Sequence, residues 1–137
     1  LGIDWRVTSG LVAYVSAGWT HTEFTEFATP DFDYTGNRFP GSSRLSMAMG
    51  VDWALSERWQ LGVDFSARDS YFVDAENSAE NRVGGRGLLN VKLGYVTDAW
   101  SLDLVVRNLA DKDYLVQRTD GFARSGEPRI AWLEWNW

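Results

Sequence analysis

Trp100-Ser101-Leu102-Asp103-Leu104-Val105-Val106-Arg107 decides the fold. In an extended chain, side chains alternate between two faces. Trp100, Leu102, Leu104 and Val106 then share one face, and Ser101, Asp103, Val105 and Arg107 the other. Trp59, Leu61, Val63, Phe65 and Ala67 repeat the pattern against Gln60, Gly62, Asp64, Ser66 and Arg68. Leu45, Met47, Met49, Val51 and Trp53 oppose Ser46, Ala48, Gly50 and Asp52, and Leu89, Val91, Leu93 and Tyr95 oppose Asn90, Lys92 and Gly94. No segment carries the 3.6-residue stripe of an amphipathic helix. The chain is predicted to be all-β, with seven strands over residues 1–7, 11–27, 43–55, 59–73, 86–96, 100–108 and 127–137.

The connections are sorted. Short turns fall at Thr8-Ser9-Gly10, Ser56-Glu57-Arg58 and Thr97-Asp98-Ala99, and long polar segments at 28–42, 74–85 and 109–126, in strict alternation. In an up-and-down antiparallel sheet, alternate connections lie on opposite rims. One rim then carries only tight turns and the other only long loops, as in transmembrane barrels with periplasmic turns and extracellular loops. A Greek-key sandwich has no reason to sort its loops this way. Aromatic residues follow the same division. Trp5, Trp53, Trp59, Trp100, Trp135 and Trp137 gather near the short turns, and Trp19, Tyr71 and Phe72 lie towards the long loops, predicting two interfacial girdles. Turn-adjacent tryptophans could instead close off a soluble core; their register with the apolar face favours the girdle.

Composition agrees with a membrane wall crossed by strands. Of the 137 residues 45% are hydrophobic and 15% aromatic, with eight Trp, yet no apolar run reaches the length of a membrane helix. Alternation reconciles the two. Asp52, Asp64, Lys92, Asp103, Arg107 and Glu134 sit in mid-strand, where a dry core would reject them; they suit a wet or plugged lumen, or the solvated face of a soluble sheet. A net charge of −6 argues against a nucleic-acid surface, and the absence of cysteine excludes disulfides and thiol chemistry. The chain begins at Leu1 without a basic or apolar leader, which reads as a removed start or a piece of something longer.

No catalytic residue, cofactor or metal site is predicted. His21 is the one histidine and reads as a girdle or loop residue; no serine stands in a Gly-x-Ser-x-Gly frame. Arg82-Val83-Gly84-Gly85-Arg86-Gly87 precedes a strand rather than a helix, against a phosphate loop. The acidic residues of 31–33 and 74–80 have no regular ligand spacing and read as solvated loop charge.

Three stretches resemble the C-terminal barrel of TonB-dependent receptors. Gly87-Leu88-Leu89-Asn90-Val91-Lys92-Leu93-Gly94-Tyr95 is similar to that family's "GLLNARIGY" strand. Val106-Arg107-Asn108-Leu109-Ala110-Asp111-Lys112-Asp113-Tyr114 is similar to its "NLFDKxY" segment, with Ala110 in place of the usual larger residue. Gly126-Glu127-Pro128-Arg129 matches the "GxPR" before a last strand that ends on an aromatic residue, here Trp137 where Phe is commoner. Gly36-Asn37-Arg38-Phe39-Pro40 resembles a "GNRxP" entry to an earlier strand. Asn108, Leu109, Asp111, Tyr114, Gly126, Pro128, Arg129 and Trp137 are therefore the expected motif positions.

The resemblance implies that residues 1–137 are the C-terminal part of a barrel domain in the outer membrane of a Gram-negative bacterium. The seven strands are expected to form a curved open sheet from a barrel of about 22 strands, with the plug domain and the earlier strands outside this chain. It implies active uptake of a bulky nutrient, most often a ferric siderophore, energised by TonB–ExbB–ExbD, and recognition of the last strand by the barrel assembly machinery. Expected ligand contacts are Asp31, Asp33, Tyr34 and Arg38 in the first loop, Tyr71, Asp74 and Glu76 in the second, and Arg118 and Arg124 in the third. The alternatives are a passive porin, a small structural outer-membrane barrel, or a soluble all-β carbohydrate-binding module.

Overall fold

A computed structural model of the chain describes residues 1–119 and 121–137. Its strands are β1 (Gly2–Thr8), β2 (Leu11–Trp19), β3 (Leu45–Ala54), β4 (Trp59–Arg68), β5 (Tyr71–Phe72), β6 (Arg82–Val83), β7 (Arg86–Val96), β8 (Ser101–Arg107), β9 (Leu115–Thr119), β10 (Phe122–Ser125) and β11 (Ile130–Asn136). Seven of them form one antiparallel sheet in the order β1-β2-β3-β4-β7-β8-β11. The other four are two hairpins, β5–β6 and β9–β10, built inside the second and third long loops. Removing those hairpins leaves each sheet strand beside its neighbour in sequence. The sheet is open: β1 pairs only with β2, and β11 only with β8. The alternative of a small closed barrel, which needs those two edges joined, is ruled out for this chain.

Register carries the alternation across the whole sheet. Trp53, Leu61, Leu93, Leu104 and Leu133 form one cross-strand row, and Val51, Val63, Val91, Val106 and Ala131 the next. Among the described residues nothing packs on this face. Leu133 is 63% and Trp135 72% exposed, and the only buried hydrophobic side chains among the described residues are Tyr71 and Val83. A sandwich would bury this face under a second sheet. Hydrocarbon is the partner that fits it. Interleaved rows place Asp64 beside Gly50 and Asn90, and Glu134 beside Asp103, on the opposite face.

The short-turn rim carries the predicted aromatic belt. The Trp59 and Tyr95 rings lie 4.8 Å apart and those of Tyr95 and Trp100 5.7 Å. At the other rim Trp19 is exposed and stacks on His21 at 6.0 Å. Tyr71 and Phe72 do not join a belt there. They form β5, paired with β6, and Tyr71 is buried in the loop layer.

Three strands are shorter than the sequence suggests. β4 ends at Arg68 rather than residue 73, because Tyr71 and Phe72 pair with β6 instead. β2 stops at Trp19 rather than residue 27: the ladder closes where Thr20 N donates to Arg44 O at 2.9 Å. Beyond it the chain turns on itself, with Gly36 N donating to Phe24 O and Tyr34 N to Phe27 O. Phe24 meets Phe27 at 4.9 Å and Phe39 at 4.7 Å, so these aromatics make a loop cluster instead of a strand face. β11 begins at Ile130, not residue 127, because Pro128 has no N–H to pair and Arg129 N donates to Asp111 instead.

The two faces should answer differently to charge. Leu104→Arg, on the apolar face, should oppose membrane insertion of the full-length protein by roughly 2–4 kcal/mol if it lies at mid-bilayer. Glu134→Arg, opposite Asp103 on the polar face, should be close to neutral. Folding titrations into lipid vesicles check both, and equal penalties would contradict the assignment of faces.

Candidate functional site

The polar face is a connected wall. Asn90 holds two strands and a loop together: its Nδ2 donates to Asp64 Oδ2 at 2.5 Å, and its Oδ1 accepts the Asn108 N–H at 2.9 Å. Lys92 pairs with Asp103 at 2.8 Å, leaving the Asp103 side chain 12% exposed. Trp132 Nε1 donates to Glu134 Oε1 at 2.7 Å, and the Arg107 guanidinium lies over the Trp132 ring. Tyr14 crosses β3 above Gly50, where an added Cβ would sit 2.6 Å from the tyrosine hydroxyl. A groove of about 520 Å³ runs over this face from Tyr14, Asp52 and Asp64 to Asn108, Tyr114 and Glu127.

At the loop end, most of the motif residues converge. Asn108 is 3% exposed and left-handed at φ 48, a conformation Asn adopts more readily than most residues. Its Nδ2 donates to Lys112 O and Glu127 O, both at 3.0 Å, and its Oδ1 accepts Lys112 N–H at 2.9 Å. One side chain therefore ties the start of the third loop to its end. Asp111, also left-handed at φ 52, accepts the Arg129 N–H at 2.9 Å and faces its guanidinium at 3.6 Å. Leu109 N donates to Leu89 O. The Tyr114 ring lies on Gly126, where a Cβ would meet it at 2.0 Å, so only glycine fits. Pro128 follows in the same segment, while Trp137 is fully exposed at the far rim. Sequence showed Asn108 and Asp111 as turn formers; the convergence depends on pairing β7 with β8 and β8 with β11.

Above the wall the three long loops interlock. Arg38 N donates to Asn77 Oδ1 at 2.8 Å and Asn77 Nδ2 returns to Arg38 O at 2.9 Å, joining the first loop to the second. Tyr71 Oη donates to Val116 O at 2.8 Å, joining the second to the third. Arg38 is thus tied to the second loop and Tyr71 to the third, with Asp74 in the same second loop as Tyr71. Arg118 faces a shallow cleft with Glu80 and Asn81. Asp31, Glu76 and Arg124 are exposed, and Tyr34 is half-buried against Phe27. Asp33 is exposed; hydrogen bonds from Thr35 hold its carboxyl below the usual value. Sequence reasoning passed over Arg68 and Arg86, which only the β4–β7 register sets side by side.

A wall with one apolar face, one polar groove, tight turns on one rim and interlocked loops on the other is that of an outer-membrane β-barrel. A profile of the TonB dependent receptor-like β-barrel matches residues 1–109. The chain belongs to that family, whose members are outer-membrane receptors and transporters, not enzymes. Among curated proteins no match was found.

Solved structures share the fold at low identity. The siderophore receptor PiuA from Acinetobacter baumannii aligns over 98% of this chain at 18% identity and a TM-score of 0.83. The ferric yersiniabactin uptake receptor FyuA from Yersinia pestis aligns over 96% at 19% identity and 0.79. The ferric citrate transporter FecA, unliganded, aligns over 90% at 24% identity and 0.78. This chain spans only 20%, 21% and 20% of those proteins respectively. It superposes on a section of their barrel walls, as an open sheet with two bare edges would.

Asn108→Ala should destabilise the full-length barrel by roughly 2–4 kcal/mol, since it strips partners from buried backbone groups and leaves a left-handed alanine. Urea unfolding in lipid checks this, and an unchanged midpoint would deny Asn108 its tying role. Asp74 supplies a pH-dependent contact. Partial burial raises its carboxyl, but hydrogen bonds from Ser78 and Asn81 outweigh that and hold it below its usual value. A depressed carboxyl stabilises above its unfolded value, near 3.9 for Asp, and loses that contribution as pH falls through the folded value. The 69–85 loop should therefore resist proteolysis in wild type more than in Asp74→Asn at neutral pH, with the difference vanishing in strong acid.

Proposed function

We propose that residues 1–137 are the C-terminal part of the barrel domain of a receptor that actively takes up a bulky nutrient, most often a ferric siderophore. The plug and the remaining strands belong to the rest of that receptor. The observation that carries this reading is the loop layer. Three extracellular loops fold onto one another through Arg38–Asn77 and Tyr71–Val116 and stand over the mouth of a polar wall. A passive pore gains nothing from ordering its loops across the mouth, whereas a receptor must hold a shaped surface for one ligand. Most of the similar structures are named as iron-complex receptors or transporters, which supports a ferric chelate as cargo, although one is a copper transporter.

In this reading Asp31, Asp33, Tyr34, Arg38, Asp74, Glu76, Arg118 and Arg124 supply the ligand-facing surface, while Tyr71, expected there from the sequence, is buried and supports that surface from behind. TonB–ExbB–ExbD energises release through the part of the receptor that carries the plug. The barrel assembly machinery engages β11, whose outer face ends on Trp135 and Trp137, both exposed. Uptake of radioactive iron by cells that carry the full-length receptor as their sole ferric-chelate receptor tests the proposal. Accumulation should stop when TonB is deleted. Uptake that continues without TonB and tracks the external concentration would make the protein a passive pore.

A further inference from the structure

Arginines gather where the polar face meets the loop layer, and no carboxylate among the described residues balances them. Arg68 closes β4, Arg86 opens β7, and the two are direct cross-strand partners. Their positions, four residues from Asp64 and Asn90 respectively, put them on the polar face. Like charges opposite one another on a sheet repel. Each guanidinium lies over a tyrosine, Arg68 over Tyr71 at 4.5 Å and Arg86 over Tyr114 at 4.8 Å. A ring face attracts a cation but leaves N–H donors without an acceptor. Arg68 Nε and Arg86 Nη1 are indeed buried and unbonded.

Two more arginines flank the pair. Arg82 donates through Nε and Nη2 to Ser70 Oγ at 3.1 and 2.7 Å, and Arg38 Nη2 reaches Ser42 O at 2.7 Å and Ser70 O at 3.4 Å. Nearby acids are committed elsewhere: Asp69 Oδ1 caps Ser70 N–H at 2.6 Å, and Asp64 accepts from Asn90. In the described residues none of the four arginines forms an ion pair. In a chain of net charge −6, four cations thus stand near one place without an ion pair among the described residues. Arg68 Nε and Arg86 Nη1 are enclosed, but both side chains remain part-exposed. Neither guanidinium donates a hydrogen bond among the described residues, so their open N–H groups are available to an acceptor from solution.

We infer that Arg68 and Arg86, flanked by Arg38 and Arg82, form a binding site for a soluble polyanion presenting carboxylate, phosphate or catecholate oxygens. The guanidinium fork suits such paired oxygens. The inference rests on the reading of this chain as a receptor wall, because that reading makes the loop end of the polar face the mouth a ligand enters. It deepens the reading by fixing the ligand's charge: a ferric chelate bound here carries net negative charge. Tyr71 and Tyr114 hold the two guanidiniums in place from behind. The site stands at the upper end of the groove, whose lining includes Tyr114.

The test uses the full-length receptor in detergent, with ferric citrate and inorganic pyrophosphate as anionic probes and ferrioxamine B as a cationic one. Both anions should raise the melting temperature saturably and with steep salt dependence, and the cation should not. Arg68→Gln and Arg86→Gln should each weaken anion binding about tenfold or more. The ligand-free double variant should melt no lower than wild type, since it loses a repulsion; a purely structural pair would lower it. Absence of any anion effect on wild type, or full retention of it in the double variant, overturns the site. TonB-dependent iron uptake that ignores the double substitution would sink this inference and leave the receptor reading standing. Anion binding that needs the pair, in a protein without TonB-dependent uptake, would do the reverse.

Discussion

Hydrocarbon offers no hydrogen bonds, so a chain that crosses it must pair every backbone N–H and C=O within itself. The rest of this structure follows from that constraint. The antiparallel ladder satisfies the backbone, and the ladder fixes a two-residue side-chain period. One face then goes to lipid and one to water. A slip of one residue in β8 would turn Leu102 and Leu104 inward and Asp103 out. The uninterrupted register from β2 to β7 is therefore the main determinant of which residues can meet. The same constraint explains the edges. β1 and β11 each have one unpaired side, which only neighbouring strands of a larger barrel can complete within a membrane.

What was legible in the sequence is what that constraint dictates. Seven sheet strands, their order, the sorted connections and the apolar face all follow from alternation and turn chemistry, which are local. Failures began where the chain leaves the membrane. Phe24 and Phe27 stand three apart, a spacing no strand face shares, yet the run looked extended enough to continue β2. Tyr71 and Phe72 carry the composition of a girdle. Their place was decided instead by the pairing of β5 with β6 across nine intervening residues. Once a loop is long enough to fold on itself, hydrophobic residues have a choice of partner that local pattern does not reveal.

The motif residues show the complementary case. Asn108, Asp111, Tyr114, Gly126 and Arg129 were recognisable as a family pattern, and two of them as turn formers, without their common purpose being visible. The structure supplies it. An Asn side chain in a left-handed residue, buried at the third loop's root, satisfies carbonyls at both ends of that loop. Asp111 takes the N–H that would otherwise precede β11 unpaired. The loop can then vary between its fixed ends while the strands it joins keep their register. Asn90 extends the tie to β7 and, through Asp64, to β4.

Stability and binding pull in opposite directions at the top of the wall. Below it Lys92 pairs with Asp103, and at the root of the third loop Arg129 pairs with Asp111. At the rim the fold sets Arg68 against Arg86 and backs them with tyrosines rather than carboxylates. An aspartate in place of Tyr71 or Tyr114 would neutralise its arginine and would also occupy the donors an anion needs. A tyrosine orients the guanidinium by its face and packing while leaving the outward N–H groups unspent. Sequence alone could place each arginine on the polar face but not opposite the other, because the 17-residue span between them leaves the register of β4 on β7 undetermined. The same two-residue period that keeps charge out of the lipid thus concentrates it at the mouth, where the open ends of the strands meet water.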